Sequence, residues 1–320
     1  MKKFVAAALL ASNLIFMPIV NAEIQTYEGT DEYIMSEFET LDIAKQRAKQ
    51  KAERSAQEKA GVFVESNTEV VNMIVTKDEI FTMTCGILKV VDVQYQLTPL
   101  DDGKSLIVKA TVKAEIDSDD VDKWLERGQE ERSDLVDKNI ELQKAIDAQD
   151  KQIAELKEKL AAAESRQEQE KISAQIAVED KVFLSNQKLE EAMRLYYAGD
   201  LNGTIDFCTQ AIELSDSNAT AYSIRGIIFY WLKDYSKASS DLSKAIALNP
   251  SDYKNFYNLG LVHIKLNNYQ AAATNFTAAI QLNPNDSDSW YNRGLCRQRL
   301  GDLYGAQEDL NRARSLGQKL

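Results

Sequence analysis

The chain has 320 residues, and its 50 Asp and Glu against 38 Lys and Arg give a formal net charge of −12. This length allows two or three domains, and the acidic balance argues against a nucleic-acid partner because it would repel a phosphate backbone. The three cysteines, Cys85, Cys208 and Cys296, are too few for a disulfide framework and too scattered for a metal site. We expect buried thiols.

The segment 1–22 has the pattern of a secretory signal peptide. Lys2 and Lys3 precede an apolar run over 4–20, and small residues allow cleavage after Ala22. The run is short for a membrane span, although an uncleaved anchor is the alternative. Position 23 is not a cysteine, which excludes a lipid anchor there. We therefore predict an exported protein, periplasmic or secreted, that begins at Glu23.

Residues 23–118 have the pattern of an α+β domain with the order β-α-β-α-β-β. Its first helix carries alanine at every fourth position from 44 to 60, which suits close packing on a sheet. Thr76 and Glu79 have the spacing of a capping box. The predicted elements are a strand at 24–36 broken by Gly29, a helix from Thr40 to Gly61, a strand near 62–74, a short helix ending at Gly86, and a hairpin.

Two alternating runs predict that hairpin. Val91, Val93, Tyr95 and Leu97 point to one side with polar residues between them, and apolar residues alternate in the same way over 106–116. The turn Asp101-Asp102-Gly103 joins the two runs. We expect one buried face.

Three parts of this domain are distinctive: AKQRAKQKAERSAQEKAGVFVES at 44–66, TKDEIFTMTCGILKV at 76–90, and the hairpin that ends at Asp117. Together they resemble the N-terminal domain of flagellar assembly protein T and of related envelope lipoproteins. The resemblance implies a periplasmic assembly or adaptor module rather than an enzyme. The rest of the chain departs from the flagellar protein, which puts a flagellar role in doubt.

Between Gly128 and Gly199 the chain has neither glycine nor proline and is rich in Ala, Glu, Lys, Gln and Leu. This composition predicts one long helix, and we assign 119–184 to a long helix or coiled coil. The heptad pattern favours a homodimer through 135–163, and a solitary spacer helix is the alternative. The a and d positions are Leu135, Asn139, Leu142, Ile146, Gln149, Ile153, Leu156, Leu160 and Ala163.

A motif with a 34-residue period recurs through 185–320, with small residues at 192, 226, 260 and 294 and alanines at 211, 245, 279 and 313. Such a period predicts helix–turn–helix units that bury their apolar faces by stacking. The units resemble tetratricopeptide repeats, with Gly226, Ala238, Ala245 and Pro250 at family positions of the second copy. The first copy, 185–218, is degenerate. The resemblance implies an all-α superhelix of four units that binds protein.

The same resemblance places groove contacts on the first helix of each unit. Repeats that clamp a carboxylate use asparagine where this chain has Met193, Ile227, Leu261 and Leu295, so we do not expect a clamp. An amphipathic helix or an apolar segment suits this groove better; alternatively, the chain's own long helix or a neighbouring subunit fills it. The predicted contacts are Ser223, Ile227, Tyr230, Trp231, Lys254, Tyr257, Asn258, Leu261, Lys265, Tyr291, Asn292, Leu295 and Arg299.

No motif for catalysis, a cofactor or a metal stands out. The only histidine, His263, occupies a packing position of the repeat, and no glycine-rich phosphate loop is present. We predict a non-enzymatic exported scaffold that binds a protein through the repeats and self-associates through the coiled coil. One alternative is a periplasmic coordinator of cell-wall synthesis and outer-membrane constriction. This chain resembles that class of protein in having a coiled coil followed by repeats. Another is a structural component of a flagellar-type envelope ring.

Overall fold

The computed structural model describes residues 24–35, 39–70, 75–101, 105–126 and 129–318, so the predicted signal peptide lies outside the described residues. The elements of the first half are β1 (Ile24–Met35), α1 (Leu41–Val70), α2 (Lys77–Ile87), β2 (Lys89–Pro99), β3 (Leu106–Asp117), α3 (Ser118–Leu125), α4 (Gln129–Ala162) and α5 (Arg166–Tyr197). Those of the second half are α6 (Leu201–Leu214), α7 (Ala219–Trp231), α8 (Tyr235–Leu248), α9 (Tyr253–Lys265), α10 (Tyr269–Leu282), α11 (Ser287–Leu300) and α12 (Leu303–Ser315).

The three described strands form one antiparallel sheet with the order β1-β3-β2. The central strand β3 pairs with β1 from Ile24↔Asp117 to Met35↔Leu106 and with β2 on its other side. The predicted alternation in β3 is present, because its residues at 108, 110, 112, 114 and 116 are 0% exposed. The predicted hairpin is therefore the β2–β3 pair.

Helix α1 lies on this sheet through its alanine stripe. Ala44, Ala48, Ala52, Ala56 and Ala60 are all 0% exposed, which allows the helix backbone to approach the strands closely. A Cβ on Gly29 would overlap the carbonyl oxygen of Ala52. Gly29 thus permits this approach and does not break β1, which corrects the predicted interruption.

Helix α1 also continues past Gly61, so the strand predicted at 62–74 is wrong over 62–70; residues 71–74 lie outside the described residues. Val64 is 0% exposed and extends the alanine stripe by one more step of four residues. Burial of that side chain keeps the segment helical despite its β-branched valines. The observed order is therefore β-α-α-β-β, with α2 opened by the predicted capping box at Thr76.

The predicted single long helix is two helices joined at 163–165. Ser165 caps α5 by accepting a hydrogen bond from the backbone N–H of Glu168 at 3.2 Å. The helices α4 and α5 fold back on each other, and the heptad residues of α4 from Asn139 to Leu160 are buried within one chain. The buried residues of this seam are Ile153, Leu156, Leu160, Ile172 and Ile176.

The two polar heptad positions also find partners inside the chain. Asn139 donates to the Thr82 hydroxyl at 3.2 Å, and Gln149 donates to the carbonyl oxygen of Glu179 at 2.8 Å. The described side chains of the coiled-coil seam are thus used intramolecularly. Self-association through 135–163 stays a prediction, and the side chain of Leu135 lies outside the described residues.

The 34-residue period corresponds to pairs of helices, in which the end of α5 pairs with α6, α7 with α8, α9 with α10 and α11 with α12. Close crossing within a pair explains the regular spacing of glycine. A Cβ on Gly226 would lie 2.9 Å from Leu242, and one on Gly260 would lie 2.7 Å from Phe276. These glycines are packing positions.

Candidate protein-binding surface

The predicted contact residues lie on α7, α9 and α11, the first helices of the last three repeats. Each of these helices starts at a side-chain cap, Asn218, Asp252 or Asp286, which satisfies backbone N–H groups that the helix leaves unpaired. The 34-residue period then repeats the same side of each helix, so equivalent residues form rows across the array. The predicted contacts fall into buried, internally paired and accessible groups.

Ser223 is 0% exposed and donates a hydrogen bond to the Asn255 side chain at 2.5 Å. Both side chains lie inside the array, between α7 and α9. The prediction of Ser223 as a partner contact is therefore corrected. The repeat pattern placed this residue on the correct helix, but the neighbouring first helix covers its short side chain.

At the end of α7, aromatic side chains pack on the first repeat. Trp231 stacks on Tyr196 with ring centroids 5.5 Å apart and an interplanar angle of 16°, and it remains 44% exposed. Tyr230 lies 5.9 Å from Tyr235. Ile227 is half-buried against a core that its own repeat shares with the next one.

The chain's own helix α4 covers the beginning of the array. Leu142 and Ile146 are 2% and 5% exposed and share one core with Met193, Tyr196 and Ile224 of the first two repeats. The alternative in which the chain's own long helix fills the groove thus applies to Met193, Tyr196 and Ile224 and does not extend to Ile227, Tyr230 and Trp231. In the first two repeats, Met193, Tyr196 and Ile224 are therefore buried in a core shared with α4, whereas Trp231 remains exposed.

Ion pairs extend this contact to the start of α9. Lys254, a predicted partner contact, pairs with Asp137 of α4 at 2.7 Å, and Lys138 pairs with Asp252 at 2.8 Å. Lys138 is only 4% exposed, so this pair is largely shielded from water. Lys254 thus has an intramolecular partner.

The remaining predicted contacts lie together on α9 and α11. The Asn292 amide donates to the Tyr257 hydroxyl at 3.5 Å, which brings the two helices side by side at this point. Leu261 is half-buried against the core that contains Phe276. Lys265 and Arg299 are exposed at the ends of the helices. We call the half-buried side chains Tyr257, Asn258, Leu261, Tyr291, Asn292 and Leu295 the α9/α11 surface.

Sequence reasoning missed two buried Arg–Asp pairs that stabilise the array. Arg225 bonds both carboxylate oxygens of Asp241 at 2.7 and 2.9 Å and donates to Thr209 at 3.0 Å. The last repeat contains the same pattern, in which Arg293 bonds Asp309 and Thr277. The sequence does contain a signal for these pairs, because arginine recurs at two repeat lengths, at 225 and 293. Leu259 occupies the equivalent position in the repeat between them.

A cavity of about 920 Å³ lies between α1 and β2 on one side and α4 and α5 on the other. Glu190 lines it and accepts a hydrogen bond from Gln50 at 3.2 Å. Burial, with the nearby Glu53 carboxylate as the next cause, raises the pKa of Glu190 to about 8. Lys49 pairs with Glu53 at 3.1 Å on the same wall. The cavity wall thus combines an ion pair with a carboxyl group that is held by an amide.

Neither a membrane-spanning helix nor a metal site is found in the described part of the chain. No described helix is long and apolar enough to cross a bilayer, and no three metal-ligating side chains converge among the described residues. Burial lowers the pKa of His263. Burial also raises the pKa of the Cys208 thiol to about 12, as is typical of a thiol packed in a protein core.

Comparisons with known proteins agree with the repeats. Residues 253–286 and 275–308 each match a family described as tetratricopeptide repeat, and no curated protein matches the chain. The MamA crystal structure is 20% identical and covers 46% of this chain and 92% of its own, with a TM-score of 0.40.

Two further solved structures cover the repeats in the same way. The TPR domain of Arabidopsis OM64 is 26% identical and covers 37% of this chain and 98% of its own, with a TM-score of 0.36. The first TPR of Spaghetti (RPAP3), bound to the HSP90 peptide SRMEEVD, is 22% identical and covers 38% and 94%, also with a TM-score of 0.36. The helix pairs over 253–308 thus match tetratricopeptide repeats, the type of module that mediates protein–protein interaction.

Proposed function

We propose that this chain is an exported, non-enzymatic adaptor that holds a protein partner on the α9/α11 surface. The observation that carries the proposal is that six predicted contacts lie together on α9 and α11 and remain partly accessible. In the first two repeats, by contrast, Met193, Tyr196 and Ile224 are buried in a core shared with α4 of the same chain. Export is supported by the signal-like residues 1–22.

The chemistry of this surface favours an apolar segment of the partner. Tyr257 and Leu261 are four residues apart on α9, and Tyr291 and Leu295 repeat them on α11. Two such rows offer apolar contact area, while Asn258 and Asn292 supply hydrogen-bonding groups between them. An amphipathic helix with apolar residues on one face fits such rows. Leucine at 261 and 295 leaves no amide there to hold a free carboxylate.

A matched pair of double variants of the full mature chain tests the surface. Tyr291→Ala with Leu295→Ala removes one aromatic and one leucine from the α9/α11 surface. Leu303→Ala with Tyr304→Ala removes the same side chains from α12 of the same repeat, where they are 66% and 78% exposed. The first variant should lose capture of envelope proteins from a native extract, and the second should retain it.

Partner identification by mass spectrometry makes this comparison quantitative. Each protein captured by the unmodified chain is scored for its loss in the two variants, after circular dichroism has shown that both remain helical. Equal retention of all captured proteins by both variants would contradict the proposal. So would a larger loss in the α12 variant than in the α11 variant.

A further inference from the structure

Strand β2 leaves one edge of the sheet open in the described structure. The sheet order β1-β3-β2 places it at the margin, and β3 is the one strand paired with it. An edge strand presents a row of backbone N–H and C=O groups that another extended segment can pair with. An added strand would form hydrogen bonds with these backbone groups, whereas an added helix would not.

The side chains of β2 are more exposed than those directly beside them. Val112, Ala110 and Val108 of β3 are 0% exposed, but their partners across the ladder include Tyr95 at 38% and Leu97 at 42%. The cause is the position of α1, which packs on β1 and β3 and barely reaches β2. β2 therefore continues the apolar face of the sheet beyond its helix.

A bulge modifies the predicted alternation of this strand. The register shifts between Val90 and Asp92, so Val91 is the extra residue and Val90 lies on the face of Val93. The cavity beside α5 is lined by 89–93, and the segment Gln94–Pro99 is not among its walls. The part of β2 beyond the bulge is thus the accessible part.

The two edges of the sheet differ in charge. β1 carries Glu28, Asp31 and Glu32 and no base, with Glu32 paired to Lys109 of β3 at 3.5 Å. β2 carries one base and one acid, Lys89 and Asp92. Charged residues are a common protection of sheet edges. In a chain of net charge −12, two β1 edges would repel each other, whereas two β2 edges would meet without net charge.

We propose that β2 pairs antiparallel with β2 of a second copy of this chain. With the two-fold axis perpendicular to the sheet, residues opposite each other lie on the same face. Val93, Tyr95 and Leu97 of one copy then meet the same apolar set of the other, and Gln94 and Gln96 meet their counterparts on the opposite face. The two sheets become one of six strands. This surface is separate from the α9/α11 surface, so the inference goes beyond the proposed function.

Light scattering of residues 23–320 over a concentration series tests the pairing. The unmodified chain should change from the mass of one copy to the mass of two as concentration rises. Leu97→Lys should remain at one copy throughout, because lysine on an edge strand opposes pairing. Ile24→Lys is the matched control: it places the same charge on an isoleucine of β1 that is 60% exposed, and it should leave the dimer unchanged.

Amide exchange identifies the interface independently of any substitution. As concentration rises, exchange should slow at 94–98 and stay unchanged at 26–33. One copy at every concentration would overturn the proposal. A dimer that slows exchange at 135–163 instead of β2 would also overturn it and support the coiled coil. Capture of partners by the Leu97→Lys chain should persist, which separates this outcome from a failure of the α9/α11 surface.

Discussion

At the scale of single residues, the turn inside each repeat adopts the left-handed backbone conformation. The φ angle is 80° at Gly199, 63° at Lys233, 58° at Asn267 and 87° at Gly301, and each of these positions lies one repeat after the previous one. Glycine adopts this conformation at no steric cost, and asparagine tolerates it better than most residues. Lys233 is exposed and is the least suited of the four.

Lys233→Gly should raise the free energy of unfolding by about 0.5–1 kcal/mol, because relief of the left-handed strain exceeds the added freedom of glycine in the unfolded chain. Urea unfolding measures the change. Asn267→Gly is the control and should give a smaller gain. A loss of stability at Lys233 would contradict this reading of the turn.

The buried Arg–Asp pairs lead to a second prediction at this scale. Asp241→Asn removes the carboxylate from Arg225, whose side chain is 17% exposed, and should lower the free energy of unfolding by about 3 kcal/mol. The third repeat contains an uncharged alternative, Leu259 and Asn275, at the equivalent positions.

The double variant Arg225→Leu with Asp241→Asn copies that alternative and should recover most of the loss, because no buried charge then lacks a partner. Urea unfolding compares the two variants. A double variant as unstable as the single one would show that the pair contributes through packing rather than through charge.

At the scale of elements, the contact between α1 and α5 includes a carboxyl group with a raised pKa. The pKa of Glu190 is about 8 in the folded chain, against an ordinary value of 4.5. Between these values the folded state holds a proton that the unfolded state has lost, so the free energy of unfolding should fall as pH rises from about 5 to 8. The slope should be about 1 kcal/mol per pH unit.

Glu190→Gln cannot ionise and should flatten this pH dependence while stabilising the protein at pH 8. Glu191→Gln is the neighbouring control, since Glu191 lies in an ion pair with Arg194 whose two side chains are 41% exposed. Unfolding in urea at several pH values measures the slope for each chain. An equal slope in the unmodified and Glu190→Gln chains would contradict the assignment.

Most elements follow from patterns in the sequence, and the exceptions have identifiable causes. The alternation in β3, the cap at Thr76 and the 34-residue period each predict the observed structure. The break between α4 and α5 was missed although Ser165 and Glu168 have the spacing of a helix start. Absence of glycine and proline outweighed that signal. At 62–70, tertiary burial of Val64 decides for helix against β-branched residues that favour a strand.

The α9/α11 surface was predictable only in part. The repeat period places Tyr257, Leu261, Tyr291 and Leu295 on one side of their helices. It does not show that α4 packs on the first two repeats, because a periodic pattern identifies an apolar face without identifying what covers it. For the same reason, the pattern does not predict that Ser223 is buried beside Asn255.

At the scale of the whole molecule, the sheet, the helical hairpin and the first repeats form one connected unit. Arg47 of α1 is 2% exposed and bonds Asp150 of α4 and Asp180 of α5 at 3.3 and 3.1 Å. Lys157 of α4 pairs with Glu39, beside the sheet, at 2.7 Å. A Cβ on Gly86 of α2 would overlap the Tyr197 ring of α5. The α9/α11 surface of the last two repeats lies outside this core and is partly accessible to solvent.

Binding of a partner on α9 and α11 is tested most directly by photocrosslinking in living cells that express the full-length chain, with a photoreactive amino acid in place of Tyr291 or of Tyr304. The two positions lie on adjacent helices of one repeat, and Tyr304 is 78% exposed. We predict that position 291 forms a discrete adduct with another protein and that position 304 does not. Adducts at 304 and none at 291 would contradict the account.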